Sequence, residues 1–336
     1  VVAAAILFSV DLSVYRAALE TRIGVALGRP VILKGPIRVR PSLWPTVTVA
    51  DIGIAYPDWA SQRQLATAQW LSLQFRLAPL LLGRVQIQKV TLVGGQLHLE
   101  TRADGTSNWM LPASAGGPNG ARALTAADLP AIEVLDSELD FRDGRSGVVT
   151  QLRVKQATLS ADPGRALELG FDGSLHGQAL TVGVVGGPLA DLLRGESPWP
   201  VRMAVVTRDS RLAARGVLHR IPEPRFDLQV HASGSEFDSL GTLIGVVLPP
   251  LGPFELDAQV LRDADGYEVN AARGFLGPEG SDLRFAVQDG RLLAPFARPM
   301  TLVVTGAFRG LPFDLRLDGA PYSALLGRAV TWPLRS

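Results

Sequence analysis

The chain contains no cysteine, which removes disulfides, thiol catalysis and thiolate metal sites together. That absence fits an extracytoplasmic address without requiring one. Lysine is scarce as well: Lys34, Lys89 and Lys155 are the only ones, so arginine carries nearly all the positive charge. With abundant alanine, glycine and proline this reads as coding bias and assigns no function. The formal net charge is +1, which gives no case for nucleic acid. Long hydrophobic runs are missing after position 30. Hydrophobic residues make up 47% of the chain, but they come in short alternating bursts, the pattern of water-soluble sheet. The histidines, His98, His176, His219 and His231, lie far apart with no His-x-x-x-His pair, so nothing supports a metal site. Neither a phosphate-cradling Gly-x-x-x-x-Gly-Lys nor a Gly-x-Ser-x-Gly nucleophile elbow occurs.

What is present begins with VVAAAILFSV, residues 1–10, an uncharged run about half as long as the ~20 residues that a spanning helix needs. It reads as the outer end of a transmembrane signal anchor in a chain truncated at its start. The tail of a cleaved signal peptide and a buried strand are the alternatives. Residues 11–29 read as an amphipathic helix. Leu12, Tyr15, Leu19, Ile23 and Ala26 recur at helical spacing, with Arg16, Glu20 and Arg22 elsewhere on the wheel. Asp11 is placed to N-cap it, Gly28 to end it, and Pro30 to block continuation.

From residue 30 to 110 the pattern is that of strands. VILKG and IRVR form a first pair broken at Gly35 and Pro36, and TVTVADIGIAY forms a longer third. Residues 57–66 look irregular. Leu71, Leu73, Phe75 and Leu77 then alternate with Ser72, Gln74 and Arg76, giving one apolar and one wet face. After the connection APLLLG, Val85 and Ile87 resume the pattern. A one-residue slip at Gln88 to Lys89 hands the apolar face to Val90 and Leu92, which predicts a β-bulge. Gly94 and Gly95 are expected to turn the chain into Leu97 and Leu99.

The helix beginning DLSVYR, the continuation ALGRPVILKG, the strand TVTVADIGIAYPDW, the connector LAPLLLGRVQIQKVTLVGGQLHLE and the hairpin ADGTSNW together resemble the N-terminal region of the bacterial AsmA family. Their order and spacing over about a hundred residues carry the likeness. The resemblance implies an inner-membrane-anchored periplasmic protein, akin to TamB and other bridge-like lipid-transfer proteins, whose strands form a long curved sheet with a hydrophobic groove. It implies roles in outer-membrane biogenesis and in moving phospholipid between membranes.

Residues 111–128 are rich in alanine, glycine and proline and read as a linker or long loop. Strands return over residues 129–336, and with no long helix between them they must mostly pair as antiparallel meanders. A loose repeat shows in GPLADLLRGESPWPVRMAVV, SEFDSLGTLIGVVLPPLGPFELDAQV and APYSALLGRAVTWPL. Each places a Leu-rich helical segment, a proline break and then a strand. The third unit stops as its strand should start, so a truncated C-terminus is expected.

Candidate chemistry is thin. Asp136, Glu138 and Asp140 line one face of a strand and have the look of an acid and base pair. With Leu135, Leu139 and Phe141 opposite, they read as the solvated side. DADGY and ADGTSN lack the spaced ligands of a Ca²⁺ loop and fit Asp-Gly turns. Trp44, Trp199 and Trp332 each precede a proline; packing at strand breaks explains them, with an interfacial belt as the alternative for Trp44 and Trp59. No catalytic, cofactor or metal residue is assigned and no enzyme is expected.

The expectation is therefore an all-β fold with an N-terminal amphipathic helix: an elongated, curved antiparallel sheet of about 15 strands at ~4.8 Å, forming a hydrophobic groove with short helical connections. The groove candidates are Leu71, Leu73, Phe75, Leu77, Val85, Ile87, Leu97, Leu99, Leu139, Phe141, Leu167, Leu169, Phe226, Leu228, Val230, Phe254, Leu256, Leu283, Phe285 and Val287. Burial is worth roughly 0.8 kcal/mol per CH₂, so carrying a sixteen-carbon chain through water costs on the order of 13 kcal/mol. An apolar trough removes most of that barrier without catalysis. The expected partners are phospholipids, the inner membrane through the anchor, and outer-membrane or other envelope proteins, with no nucleic acid. The rival reading is a periplasmic scaffold assisting outer-membrane protein assembly or targeting, and a β-rich enzyme is the third.

Overall fold

The computed structural model describes residues 12–27, 29–55, 64–109, 129–144, 147–195, 197–220, 224–244, 248–282 and 284–321. The anchor segment 1–10, the caps Asp11 and Gly28, Trp59, the linker 111–128, Leu283, Trp332 and nearly all of the third repeat lie outside the described residues. No helix among the described residues is long and apolar enough to cross a membrane.

The chain is all-β apart from short helices, with eighteen strands among the described residues. It divides into two compact units, residues 1–179 and 180–336. In the first unit a 3₁₀ turn (Leu12–Tyr15) leads into α1 (Arg16–Leu27). Then come β1 (Val31–Leu33), β2 (Ile37–Arg40), β3 (Thr46–Ala55) and β4 (Gln64–Phe75). After these follow α2 (Leu77–Leu81), β5 (Ile87–Val93), β6 (Gln96–Thr101), β7 (Ala131–Asp143), β8 (Val149–Ser160) and β9 (Leu167–Leu175). β4 thus begins at Gln64, within the stretch expected to be irregular, because Ala55 of β3 pairs with Gln64 after a register shift.

The predicted bulge is present. β4 and β5 pair Gln74 with Lys89 but Phe75 with Ile87, so Gln88 is the extra residue. The expected turn at Gly94 and Gly95 is corrected. β5 and β6 both run antiparallel to β4 and parallel to β7, so the two glycines kink one continuous line of strand instead of reversing it. Gly94 has φ +62°, and a Cβ there would lie 2.4 Å from the Gln69 side chain, so a larger residue would be strained and would have to displace Gln69. The parallel pairing departs from an antiparallel meander. It is possible because some thirty residues separate Thr101 from Ala131, enough for a crossover.

The kink belongs to a line of breaks. Asp51 (φ +49°) and Asp136 (φ +46°) are left-handed. Asp51 falls opposite Gln69, between the pairs Ala50 with Trp70 and Ile52 with Ala68. The Gln69 amide donates to Gly94 O, the Gly94 amide donates to Leu135 O, and Asp136 falls opposite Lys155. Each break shifts the alternation by one residue, so Val47 and Val49 share a cluster with Ile52 and Ile54. This corrects the regular alternation expected around Asp136. Leu135 precedes the break, and its neighbours in register are Val93 and Gln156. Leu139 and Phe141 follow it, on the side of Leu92.

α1 closes the β1 to β3 end of the apolar face. Val31, Leu33 and Ile37 are buried there with Leu19 packed against them. The expected stripe is corrected, since Tyr15 and Ile23 are exposed. The helix instead docks through Leu19 and two polar residues. The Leu33 amide donates to Glu20 Oε1 (2.7 Å), and Arg16 Nη2 donates to Gly35 O (3.1 Å).

The second unit is an antiparallel meander of β10 (Gln178–Gly186), β11 (Trp199–Thr207), β12 (Ser210–His219), β13 (Arg225–Gly234), β14 (Phe254–Arg262), β15 (Gly266–Leu276), β16 (Phe285–Pro295), β17 (Pro299–Phe308) and β18 (Leu311–Pro321). Two repeats appear as α3 (Leu189–Arg194) before β11 and α4 (Phe237–Ile244) before β14. In each, the next strand opens on a buried aromatic, Trp199 at 4% exposure and Phe254 at 2%. Trp199 Nε1 donates to Pro188 O (3.0 Å), and its ring fills the space a Cβ on Gly186 would occupy. Phe254 packs edge-on against Phe237, with Leu240 and Ala232 completing the cluster.

Candidate functional site

The site is a face, and it is built from cross-strand rows. Directly opposed residues share a side of the sheet. In the first unit the register links Val39, Val47, Leu73, Val90, Ile132, Leu159 and Leu169 in one row. A second row joins Ile37, Val49, Leu71, Leu92, Val134, Ala157 and Phe171. Beyond the line of breaks a third joins Ile54, Ala66, Leu97, Leu139, Leu152 and Leu175. A Cβ on Gly95 would meet both Leu92 and Ser137, which places the third row on the same side as the first two. The breaks thus keep one face apolar where strict alternation would have turned it over.

Leu99 pairs with Phe141, whose ring meets Trp109 edge-on at 5.8 Å. Asn108 holds that corner: it is fully buried, its Oδ1 accepting from the Glu100 amide and its Nδ2 donating to His98 O.

In the second unit Val201, Gly216, Leu228, Val260, Val269, Leu292, Leu302 and Leu317 form one row across eight strands. Val184, Met203, Ala214, Val230 and Ala258 form its neighbour. Apart from buried Ile37 and Ala214, the residues of these five rows are half-buried or, as at Leu169, exposed. Two clusters of buried apolar residues lie against α1 and α4, while others, such as Leu65, Trp199 and Met300, are buried outside them. A sheet face packed against a second layer would bury its inward residues.

The groove candidates distribute unevenly over this frame. Leu71, Leu73, Leu97, Leu139, Leu169 and Leu228 stand in the half-exposed rows, as does Val230 beside Leu228, and Phe75, Ile87 and Leu167 stand at strand ends. Phe226 opposes Leu218, and Phe285 stacks on Phe308 at 4.4 Å. Val287 opposes Gly274 and Gly306. Leu77 opens α2 and Val85 sits exposed in the following turn, so neither is a strand residue. Phe254 and Leu256 belong to the cluster under α4.

Missed by sequence reading were Val134, Leu152, Leu292 and Leu302, each legible afterwards as an apolar partner one strand away.

The opposite face is polar and paired. Lys89 meets Glu133 at 2.6 Å, and this ion pair holds the Glu133 carboxyl below its ordinary range. Glu138 pairs with Arg153 and Asp140 lies against His98 Nδ1, each at 3.2 Å, so each carboxylate faces a nitrogen partner and not the other carboxylate. Lys155 pairs with Asp172 at 3.0 Å. A crease of about 530 Å³ follows the breaks past Gln69, Gly94, Asp136 and Lys155. It is open and lined mostly by polar and charged residues, unlike the enclosed clefts that hold small ligands.

His231, Glu255 and Asp257 bring ligand atoms within 4.8 Å of one another. The register accounts for them, because His231 opposes Asp257 and its Nδ1 lies 3.0 Å from Asp257 Oδ1. Both carboxylates are exposed, and Arg273 opposes Asp257 on the next strand.

Comparison with known proteins bears on the first unit. Residues 1–128 match the AsmA family. The N-terminal part of this chain is thus similar to the AsmA family over that stretch. A curated relative, "AsmA family protein YhjG" of Escherichia coli (strain K12), is 36% identical over 113 residues, covering 32% of this chain. The match spans only 16% of that relative's length. No solved structure matches the chain. The likeness to the AsmA family and the mostly β architecture fit a protein of the cell envelope.

Proposed function

We propose that the apolar face is a non-catalytic binding surface for phospholipid acyl chains, serving lipid transfer between inner and outer membrane and so outer-membrane biogenesis. The observation that carries this reading is the set of cross-strand apolar rows left half-exposed along both units. Leucine, valine and isoleucine in such rows are disfavoured in water, and contiguous exposed apolar surface marks an interaction site. An acyl chain laid across a row regains roughly 0.8 kcal/mol per buried CH₂. Rows that continue from strand to strand offer successive positions of similar energy, so movement along them needs no chemistry. On this reading residues 1–10 anchor the chain in the inner membrane and the strands lie in the periplasm.

The test is photo-crosslinking on protein purified in mild detergent. A light-activated residue at Leu73 or Leu228 should label phospholipid, while one at Gln74 or Gln229, one position along on the other face, should not. Equal labelling of both faces would reduce the contact to non-specific adhesion. No labelling at Leu73 and Leu228 would remove the lipid reading and favour a surface that docks envelope proteins.

A further inference from the structure

One end of the first unit carries apolar side chains that the acyl-binding face does not use. The β2 to β3 loop presents Leu43 and Trp44, and the last residue of α2 with the turn after it presents Leu81, Leu82 and Val85. The four aliphatic residues are 71–78% exposed and Trp44 is 48% exposed. The two loops are neighbours, since the Phe75 amide donates to Pro45 O (2.9 Å) and the Arg76 amide to Gln86 O (3.0 Å). Around them stand Arg40, Arg76 and Arg84, all exposed. No acidic residue occurs in 40–46 or 76–87.

Bare leucines at a loop tip, a tryptophan with a polar N–H, and unopposed guanidiniums suit the boundary of a bilayer. There the aliphatic groups enter the acyl region, the indole sits among the headgroups, and arginine meets phosphate. The direction of the chain agrees. α1 runs from this end toward Pro30, so that its 3₁₀ turn packs beside β2 with Val14 and Tyr15 exposed. The uncharged run 1–10 precedes that turn in sequence.

We infer that the Leu43–Trp44 loop and the Leu81–Val85 turn, rimmed by Arg40, Arg76 and Arg84, dock this end of the first unit on the surface of an anionic phospholipid bilayer. This contact is peripheral, additional to any anchor, and independent of acyl binding on the sheet.

The absence of cysteine makes the test direct. Leu82→Cys carries an environment-sensitive fluorophore in the full chain, and Ala103→Cys, in the exposed turn at the far end of β6, carries it as the control. With vesicles of phosphatidylcholine and phosphatidylglycerol, the probe at 82 should shift to the blue and be quenched by lipid-borne quenchers, while the probe at 103 should do neither. Replacing Arg40, Arg76 and Arg84 together by Gln should weaken the response about five-fold per arginine, on the order of 100-fold in all. Vesicles of phosphatidylcholine alone should give the same weakening.

A probe at 82 that stays in water while the protein floats with the vesicles would overturn the inference. Equal shifts at 82 and 103 would do the same, as would binding that ignores the arginines and the lipid charge. Failure here with lipid labelling at Leu73 would leave the acyl-binding reading intact, and success here without that labelling would remove acyl binding alone.

Discussion

The two units cover one end of their apolar face with a helix, and they do it by different means. Among its described side chains α1 packs Leu19 on β1 to β3 and fastens itself by hydrogen bonds from the Leu33 amide and to Gly35 O. α4 sits on an aromatic core, with Phe237 edge-on against a fully buried Phe254. The first arrangement contributes mainly alignment, because exchanging water for a protein hydrogen bond gains only about 1 kcal/mol. The second contributes burial, and an aromatic side chain carries most of it. Among the described side chains neither Leu73 nor Leu228 belongs to the clusters at the two helices, so the covered parts hold each unit together while those rows stay half-exposed.

The largest expected effect tests that division. Phe254→Ala should cost about 3–5 kcal/mol, and Leu19→Ala, at a half-buried site with polar support, about 1–2 kcal/mol. Hydrogen exchange read strand by strand should place the first loss in β13 to β15 and the second in β1 to β3. Equal losses, or a loss in the other unit, would break the comparison. A smaller effect is expected where nothing covers the face. Leu228→Glu with Leu302→Glu should lower stability by no more than about 2 kcal/mol in total in a denaturant titration, because the carboxylates reach water. Lipid recovered with the protein should nevertheless fall sharply. Unfolding of this variant would mean that the row is ordinary core, where each buried unpaired charge costs several kcal/mol.

The smallest effect belongs to the polar face. Lys89 lowers the pKa of Glu133, so the folded state favours the carboxylate. Its contribution is present above the ordinary value of 4.5 and fades as pH falls through the lower folded value. The pair is partly exposed, so Glu133→Gln should cost less than about 1 kcal/mol at neutral pH and nothing once the native carboxyl is protonated. Parallel denaturation curves at the two pH values check this. A larger penalty would mean that the polar face carries stability as the helix-covered ends do.

Much of the sheet was legible residue by residue. Alternation from Leu71 to Phe75 specified a strand with unlike faces, and the slip at Gln88 specified a bulge, because parity is visible in the chain. The recurrence of a Leu-rich segment, a proline and a strand marked both α3 with Trp199 and α4 with Phe254. Gly94 and Gly95 were misread because two glycines permit a reversal and a kink equally, and only the pairing of β4 with both β5 and β6 chooses between them. The polar docking of α1 was hidden as well, since Arg16 and Glu20 look solvent-facing until strand β1 and the residues after it supply a backbone donor and acceptor.

What the amino-acid order determined by itself was local: which residues alternate, where the alternation slips, and which face of each strand avoids water. Those follow from a side-chain period of two and from the conformations open to glycine and aspartate. What only tertiary structure decided was the surroundings of each apolar face. Phe226 and Phe254 stand at opposite ends of neighbouring strands with the same alternation behind them, yet only Phe254 lies under a helix. Burial depends on what another part of the chain places overhead, and no local pattern encodes that.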